Sequence, residues 1–198
     1  MARDPFARID RSDDAIFYSV ARNVVHLGSG AIEALRAEYA RLVPPGATVL
    51  DLMASWRSHL PGGLGPVTGL GMNAAEMAEN PQLDDCVVHD LNREPALPFD
   101  DDTFDTVLCA VSVQYLVRPV EVLSDVRRVL RPGRPVIVSF SNRCFPTKAV
   151  AAWLARDDAG HRELVRTYLE RSDFANVVDE QVRTPDDPLF VVRGRRPA

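Results

Sequence analysis

From Pro44 onward the chain alternates short apolar runs with turn-rich or amphipathic stretches. This alternation constrains the fold more than any other feature. "TVLDLM", "PVTGLGM", "DCVVHDL", "FDTVLCAV" and "RPVIVSFSN" are apolar runs bounded by Gly, Pro, Asp or Asn, as expected of strands buried in a parallel sheet. Between them, "AAEMAEN" allows one or two helical turns closed by Pro81. "RPVEVLSDVRRVL" sets Val122, Val126, Val129 and Leu130 on one helical face, its charges on the other, and stops at Pro132-Gly133. Upstream, "GAIEALRAEYARLV" has Ile32, Leu35, Tyr39 and Leu42 at helical spacing before Pro44-Pro45-Gly46. After the fifth strand, "TKAVAAWLARDDAGHRELVRTYLERSDF" reads as helix in two pieces with a break near Asp157 to Gly160. "NVVDEQVRT" and "PLFVVRGRR" then read as strands with no helix between them, an antiparallel hairpin at a sheet edge. Together these predict an α/β, doubly wound, mainly parallel seven-stranded sheet with helices on both faces.

Length and charge narrow the function. The chain has 198 residues, which favours a single domain over 1–198, with 1–29 as a polar lead-in that covers the site. The net charge of -5 opposes nucleic-acid binding, which needs a basic face. No apolar stretch is long enough to span a bilayer, and "MARDPFARIDRSDD" is too polar for a secretory signal. Cys86, Cys109 and Cys144 lie in or beside apolar runs without close pairing, so they read as reduced thiols of a cytoplasmic protein. The four histidines and three cysteines show no metal-ligand spacing. No pattern specifies an oligomeric state.

The stretch "VVHDLNREPALPFDDDTFDTVLCAVSVQYLVRPVEVLSDVRRVLRPGRPVIVSFSN" carries a resemblance. A strand ending in Asp, an "LPF" turn, an acidic loop, "FD" opening the next strand, and a helix ending in "RVLRPG" before an apolar strand follow in order. The chain from about residue 30 to its end thereby resembles the class I S-adenosylmethionine-dependent methyltransferases, in their small-molecule, type 11-like branch. That resemblance implies a Rossmann-like sheet, S-adenosyl-L-methionine as cofactor and a small-molecule methyl acceptor. It places Asp51, Gly71, Asp90 and Ala110 at strand ends facing one crevice, because ligands of such sheets lie beyond the carboxyl ends of the strands.

Residue by residue, the resemblance makes Asp90 the acceptor for the adenine amino group, flanked by Leu91 and Asn92. Gly71 departs from the family, which has an acidic residue there to hold the ribose hydroxyls; Glu76 stands a turn and a half further on. Asn73 is the candidate for one hydroxyl and Met72 for packing on the base. The first turn, "VLDLMASWRSHLPGG", keeps Asp51 but replaces glycine with Met53, Ala54, Ser55 and Trp56. Small residues still let the turn approach a ligand, and Trp56 is placed to cover a sulfonium. Against this, Trp56 also reads as an aromatic that closes the turn. Arg57 or His59 is the candidate partner for the methionyl carboxylate.

On the acceptor side, Tyr115, His26 and His59 are the candidate bases, should the nucleophile arrive protonated; for each, ordinary packing is the competing reading. Arg143 and Lys148 either meet an acidic acceptor or cap a helix. His89, preceding Asp90 on a strand, is expected on the opposite face. The alternative to an enzyme is a catalytically silent, methyltransferase-like cofactor sensor or partner protein. A nicotinamide dinucleotide oxidoreductase is disfavoured by the absent GxGxxG turn.

Overall fold

A computed structural model describes residues 4–198. After a short helix α1 (Asp14–Phe17) and an irregular segment come α2 (Ser29–Leu42), β1 (Val49–Leu52), β2 (Val67–Gly71), α3 (Ala74–Ala78), β3 (Asp85–Val88), β4 (Thr106–Ala110), α4 (Pro119–Val129), β5 (Pro135–Phe140), α5 (Ala151–Leu154), α6 (Asp158–Arg171), β6 (Ala175–Val182) and β7 (Leu189–Arg195). The seven strands form one sheet in the order β3-β2-β1-β4-β5-β7-β6. The first five are parallel, while β7 runs antiparallel to both β5 and β6. Strand order reverses between β1 and β4, and the crevice above that point is where an open α/β sheet takes its ligand.

The pleat sorts the apolar residues onto two faces. Val136, Val138 and Phe140 of β5 join Leu50, Leu52, Val107 and Cys109 under α4, α5 and α6. Ile137 points the other way, with Val49, Leu108 and Val191, under Leu35 and Tyr39 of α2. Ser139 also lies on that second face, where its hydroxyl meets the Tyr39 hydroxyl at 2.8 Å. A polar pair so deep in the core has to be mutually satisfied.

Two crossovers depart from strict strand–helix alternation. Residues 53–66, between β1 and β2, form no α-helix, and neither do residues 89–105, between β3 and β4. The expected cover of helices on both faces is therefore incomplete. Leu60 fills part of the first gap, packing with α2. The outer strand β3 stays open, with Cys86 and Val88 exposed.

The lead-in is tied down firmly. Asp10 N–H donates to the Thr147 carbonyl at 2.8 Å, and Ala151 N–H to that of Ala7 at 2.8 Å. Lys148, fully buried, pairs with Asp14 at 3.0 Å and Asp10 at 3.2 Å. Arg8 adds two bonds to Asp14, at 2.8 and 2.7 Å. Burial alone would raise the Asp14 carboxyl, but hydrogen bonds from Arg8, Asn92 and Lys148 outweigh it and hold it below the usual range. The neighbouring residues 17–26 thus lie as a cover over the carboxyl ends of the strands.

Candidate functional site

Beneath this cover is a cleft at the switch point. Its walls are the first turn (Asp51 to Arg57, with His59), the end of β2 with Met72, Asn73 and Glu76, the turn His89 to Asn92, the end of β4 with Tyr115, and the cover residues Asp14, Tyr18, Arg22 and His26. Every residue nominated from the sequence for the cofactor or as a base lines it, Arg57 included, although they come from separate parts of the chain; Arg143 and Lys148, the candidates for an acidic acceptor, do not. His89, expected on the opposite face, lines the same cleft. Beyond the last residue of β3 its N–H still donates to the Gly71 carbonyl at 2.9 Å, so the ladder runs one residue past the strand. Its ring lies against the Glu94 carbonyl at 2.7 Å.

The first turn keeps a glycine-like conformation without glycine. Met53 has φ 60° and His59 φ 54°, and across the cleft Val111 has φ 47°. Left-handed backbone costs a non-glycine residue about 1–3 kcal/mol, and such strain gathers at functional sites. Ala54 N–H donates to the Leu70 carbonyl at 2.8 Å, which draws the turn across the end of β2. That explains Gly71: a Cβ there would stand 2.2 Å from the Ala54 carbonyl oxygen. No carboxylate side chain can occupy the position.

Glu76, which the sequence puts a turn and a half beyond Gly71, reaches back into the gap. Its Oε2 accepts from the Ser55 hydroxyl at 2.5 Å and its Oε1 from the Arg22 N–H at 2.5 Å. Asn73 caps α3, its Oδ1 accepting from Ala75 and Glu76 N–H at 2.9 and 3.1 Å, while its Nδ2 donates to the Tyr18 carbonyl at 2.8 Å. A capping box would return the Glu76 carboxylate to the backbone of Asn73; here it faces the cleft instead.

Asp90 ends its strand as both turn cap and cleft wall. Oδ1 accepts from Asn92 and Arg93 N–H at 2.9 and 3.3 Å, and the residue lines the cleft. Asn92 is occupied with architecture: its Nδ2 donates to Asp14 at 2.9 Å and to the Tyr115 carbonyl at 3.0 Å, and its Oδ1 accepts from Val117 N–H at 2.9 Å. Asp51 is buried at the floor, and burial raises its carboxyl to about 7 against the pull of Ser58. One face of the Trp56 indole is covered by the Arg57 guanidinium, 4.1 Å from the ring centre, and its Nε1 donates to the Val24 carbonyl at 3.1 Å. The indole therefore fastens the cover as well as walling the cleft.

The candidate bases differ sharply. Burial pushes the Tyr115 phenol well above its ordinary range, and its oxygen accepts the Phe145 N–H at 2.8 Å, so it holds its proton. His59 is depressed to about 4 by burial and by Arg57 and Arg36. His26 is lowered too, by burial and by Arg143, and lies edge-on to Phe145 at 4.6 Å. Phe145 also meets Phe17 at 5.7 Å and Tyr115 at 6.1 Å, giving an aromatic wall beside the strand ends. Arg143 and Lys148 are engaged elsewhere: Arg143 with Asp187 at 2.7 Å, Lys148 in the clasp on Asp14. Among the described residues no group of His, Cys, Asp and Glu is placed to hold a metal, and no helix is long and apolar enough to cross a membrane.

Residues 64–138 match the family model described as a methyltransferase domain. Curated relatives carry the name ubiquinone/menaquinone biosynthesis C-methyltransferase UbiE. That of Roseobacter denitrificans is 30% identical over 146 residues, 73% of this chain and 53% of the relative. That of Geobacter sulfurreducens is 49% identical over 47 residues, 23% of this chain and 18% of the relative. The chain thus spans about half, or less, of the curated relatives it matches. Among solved structures, a putative methyltransferase of Haloferax volcanii, in complex with the Trm112 methyltransferase activator, aligns with a TM-score of 0.65 at 17% identity, covering 85% of this chain and 90% of the other. An S-adenosylmethionine-dependent methyltransferase of Mesorhizobium loti gives 0.59 at 18%, covering 82% and 98%. The [4+2]-cyclase SpnF gives 0.66 at 15%, covering 91% and 87%. These structural likenesses speak to the fold. The family rests on the matched domain and the curated relatives: residues 64–138 belong to the type 11-like methyltransferase domain of the class I S-adenosylmethionine-dependent family, whose cofactor is S-adenosylmethionine.

Proposed function

We propose that this chain binds S-adenosylmethionine in the cleft and transfers its methyl group to a small-molecule acceptor lodged under the cover, in the cytoplasm. The observation that carries the reading is the convergence of four strand ends on one roofed cleft with carboxylates at Asp51, Glu76 and Asp90. The donor set fits the cofactor. Carboxylates suit its amine, hydroxyl and ammonium donors, and Met53, Met72 and Leu91 offer apolar surface to a base. The free, exposed thiol of Cys86 suits a reducing compartment.

When bound, S-adenosylmethionine supplies an electrophilic methyl group on a sulfonium. The chain's own contribution is placement and exclusion of water, worth about 7–11 kcal/mol when reacting atoms are well aligned. Asp90 would hold the adenine amine as its acceptor. Tyr18, Tyr115 and Phe145 wall the acceptor's side, which suits a compact, flat or apolar molecule. His26 is neutral at pH 7 and accepts a proton from a protonated nucleophile; Tyr115 positions Phe145 rather than acting as a base.

One observation favours a second reading, a cofactor-binding protein without methyl transfer: a cyclase is among the structural neighbours, so the fold alone does not fix the chemistry. Titration calorimetry with S-adenosylhomocysteine, followed by an acceptor screen with methyl-labelled cofactor, separates the two. Binding with label transfer supports the enzyme, and binding with no transfer to any acceptor class supports the second reading. Asp90→Ala is expected to weaken S-adenosylhomocysteine at least tenfold; an unchanged dissociation constant would remove Asp90 from the adenine site.

A further inference from the structure

A second cavity, of about 380 Å³, lies between α2, the first turn and the segment that follows α3. That is the size of a small-molecule site. Trp56, Arg57 and His59 line both this cavity and the cleft, so they form a partition between the two. Arg36 reaches the second cavity from α2 and is not part of the cleft wall. The Arg57 guanidinium lies on the Trp56 ring, and among the described residues neither it nor Arg36 is in an ion pair. Glu79 is the acid in this wall, and its Oε2 accepts from the Asn23 amide at 3.0 Å. Two cations against one acid leave the wall positive, in a chain whose net charge is -5.

His59 is the unusual member. Only 9% of it is exposed, and its backbone is left-handed at φ 54°. The rings of His89 and His161 each meet a carbonyl, at 2.7 and 3.0 Å, whereas that of His59 meets no hydrogen-bond partner among the described residues. A buried polar group without a partner is costly, and strained backbone of this kind gathers at functional sites. Burial, Arg57 and Arg36 together depress the ring to about 4, so near neutral pH it is uncharged and offers one N–H donor.

We propose that this second cavity binds a small molecule carrying a phosphate monoester, clasped by the guanidiniums of Arg36 and Arg57 with the His59 ring N–H as a third donor. The site lies outside the cofactor cleft, and the inference stands whether or not the chain transfers a methyl group. A phosphate monoester presents three acceptor oxygens and nearly two negative charges at neutral pH. Guanidiniums meet such a group through paired N–H donors. A carboxylate brings about half the charge to the same two cations, so phosphate is the better match. Ile32, Pro81 and the Trp56 indole add apolar surface to the same wall. The phosphate therefore carries a compact hydrocarbon or aromatic body rather than arriving alone.

The experiment titrates the full chain with phenyl phosphate, inorganic phosphate and benzoate near neutral pH, by calorimetry. NMR of the arginine Nε–H, histidine ring and backbone amide signals locates each probe. Phenyl phosphate is expected to bind the wild type at least tenfold more tightly than benzoate and at least threefold more tightly than inorganic phosphate. It is expected to shift the Arg36, Arg57 and His59 signals. Arg36→Gln, on the exposed face of α2, is expected to weaken phenyl phosphate at least fivefold while keeping the wild-type amide spectrum. No binding of phenyl phosphate, or an affinity no better than that of benzoate or of inorganic phosphate, overturns the proposal. So does an unchanged affinity in Arg36→Gln. Binding that shifts the Asp90 and Leu91 amides and leaves Arg36 unmoved puts the anion in the cleft and equally overturns it. The wild-type titrations decide the matter even if the variant fails to fold.

Discussion

Asp51 sits at the end of β1, buried, with Ser58 against its carboxyl and the thiol of Cys109 nearby. Burial raises it to about 7 from an ordinary 3.8, so between those values the folded chain holds a proton that the unfolded chain has lost. Stability from the neutral carboxyl is fully present below about pH 4 and is lost as pH climbs to about 7, by up to about 1.4 kcal/mol per pH unit. Asp51→Asn is expected to flatten this slope and to be the more stable protein above pH 7. Urea midpoints of both proteins from pH 4 to pH 8 check it: His59 and His26, lowered by burial, add stability with rising pH in both, so the wild type must lose stability relative to Asp51→Asn across that range, and a constant difference between the two would contradict the assignment. The same scale shows what the sequence conceals. Asp90 and Asp51 stand out because they end apolar runs. Glu76 does not, because nothing in "NAAEM" tells that its side chain leaves its own helix for the cleft.

At the scale of elements, the β1–β2 crossover is the informative piece. Without a helix it lies directly across β2, and the tight path is held by left-handed residues at Met53 and His59. Strain is tolerated there because the cleft depends on that turn; elsewhere it is removable. The end of α6 offers the contrast. Ser172 closes the helix, and Asp173 follows with φ 59°, exposed, 3.8 Å from Arg127. A glycine suits that left-handed position after a helix, and a surface ion pair so long contributes little. Asp173→Gly is therefore expected to stabilise the protein by about 0.5–1 kcal/mol, read as a raised melting temperature; a lowered one would mean that the Arg127 pairing outweighs the backbone.

For the whole molecule, the decisive contact is between segments far apart in sequence. Lys148 lies entirely within the protein, between Asp10 and Asp14, and so clamps the cover to the segment after β5. Removing one partner of a buried ion pair leaves the other charge uncompensated, at about 3–5 kcal/mol. Because Arg8 remains on Asp14, Lys148→Met is expected to cost about 3 kcal/mol, the low end of that range. Denaturant unfolding, with trypsin cleavage in the cover as a local readout, tests this; a variant as stable and as resistant as the wild type would locate the clamp elsewhere.

The sequence by itself determined the strands, the order of the elements and the set of strand-end residues that meet at the switch point. Those follow from hydrophobic periodicity and turn chemistry, which are local. Tertiary structure alone decided which side chains are free to act. Tyr115, Asn92 and Lys148 are polar and well placed in the sequence, yet each is occupied by a partner 23 to 138 residues away. Hydrogen bonds and ion pairs close over distances that no pattern along the chain encodes, so availability for chemistry is a property of the folded molecule.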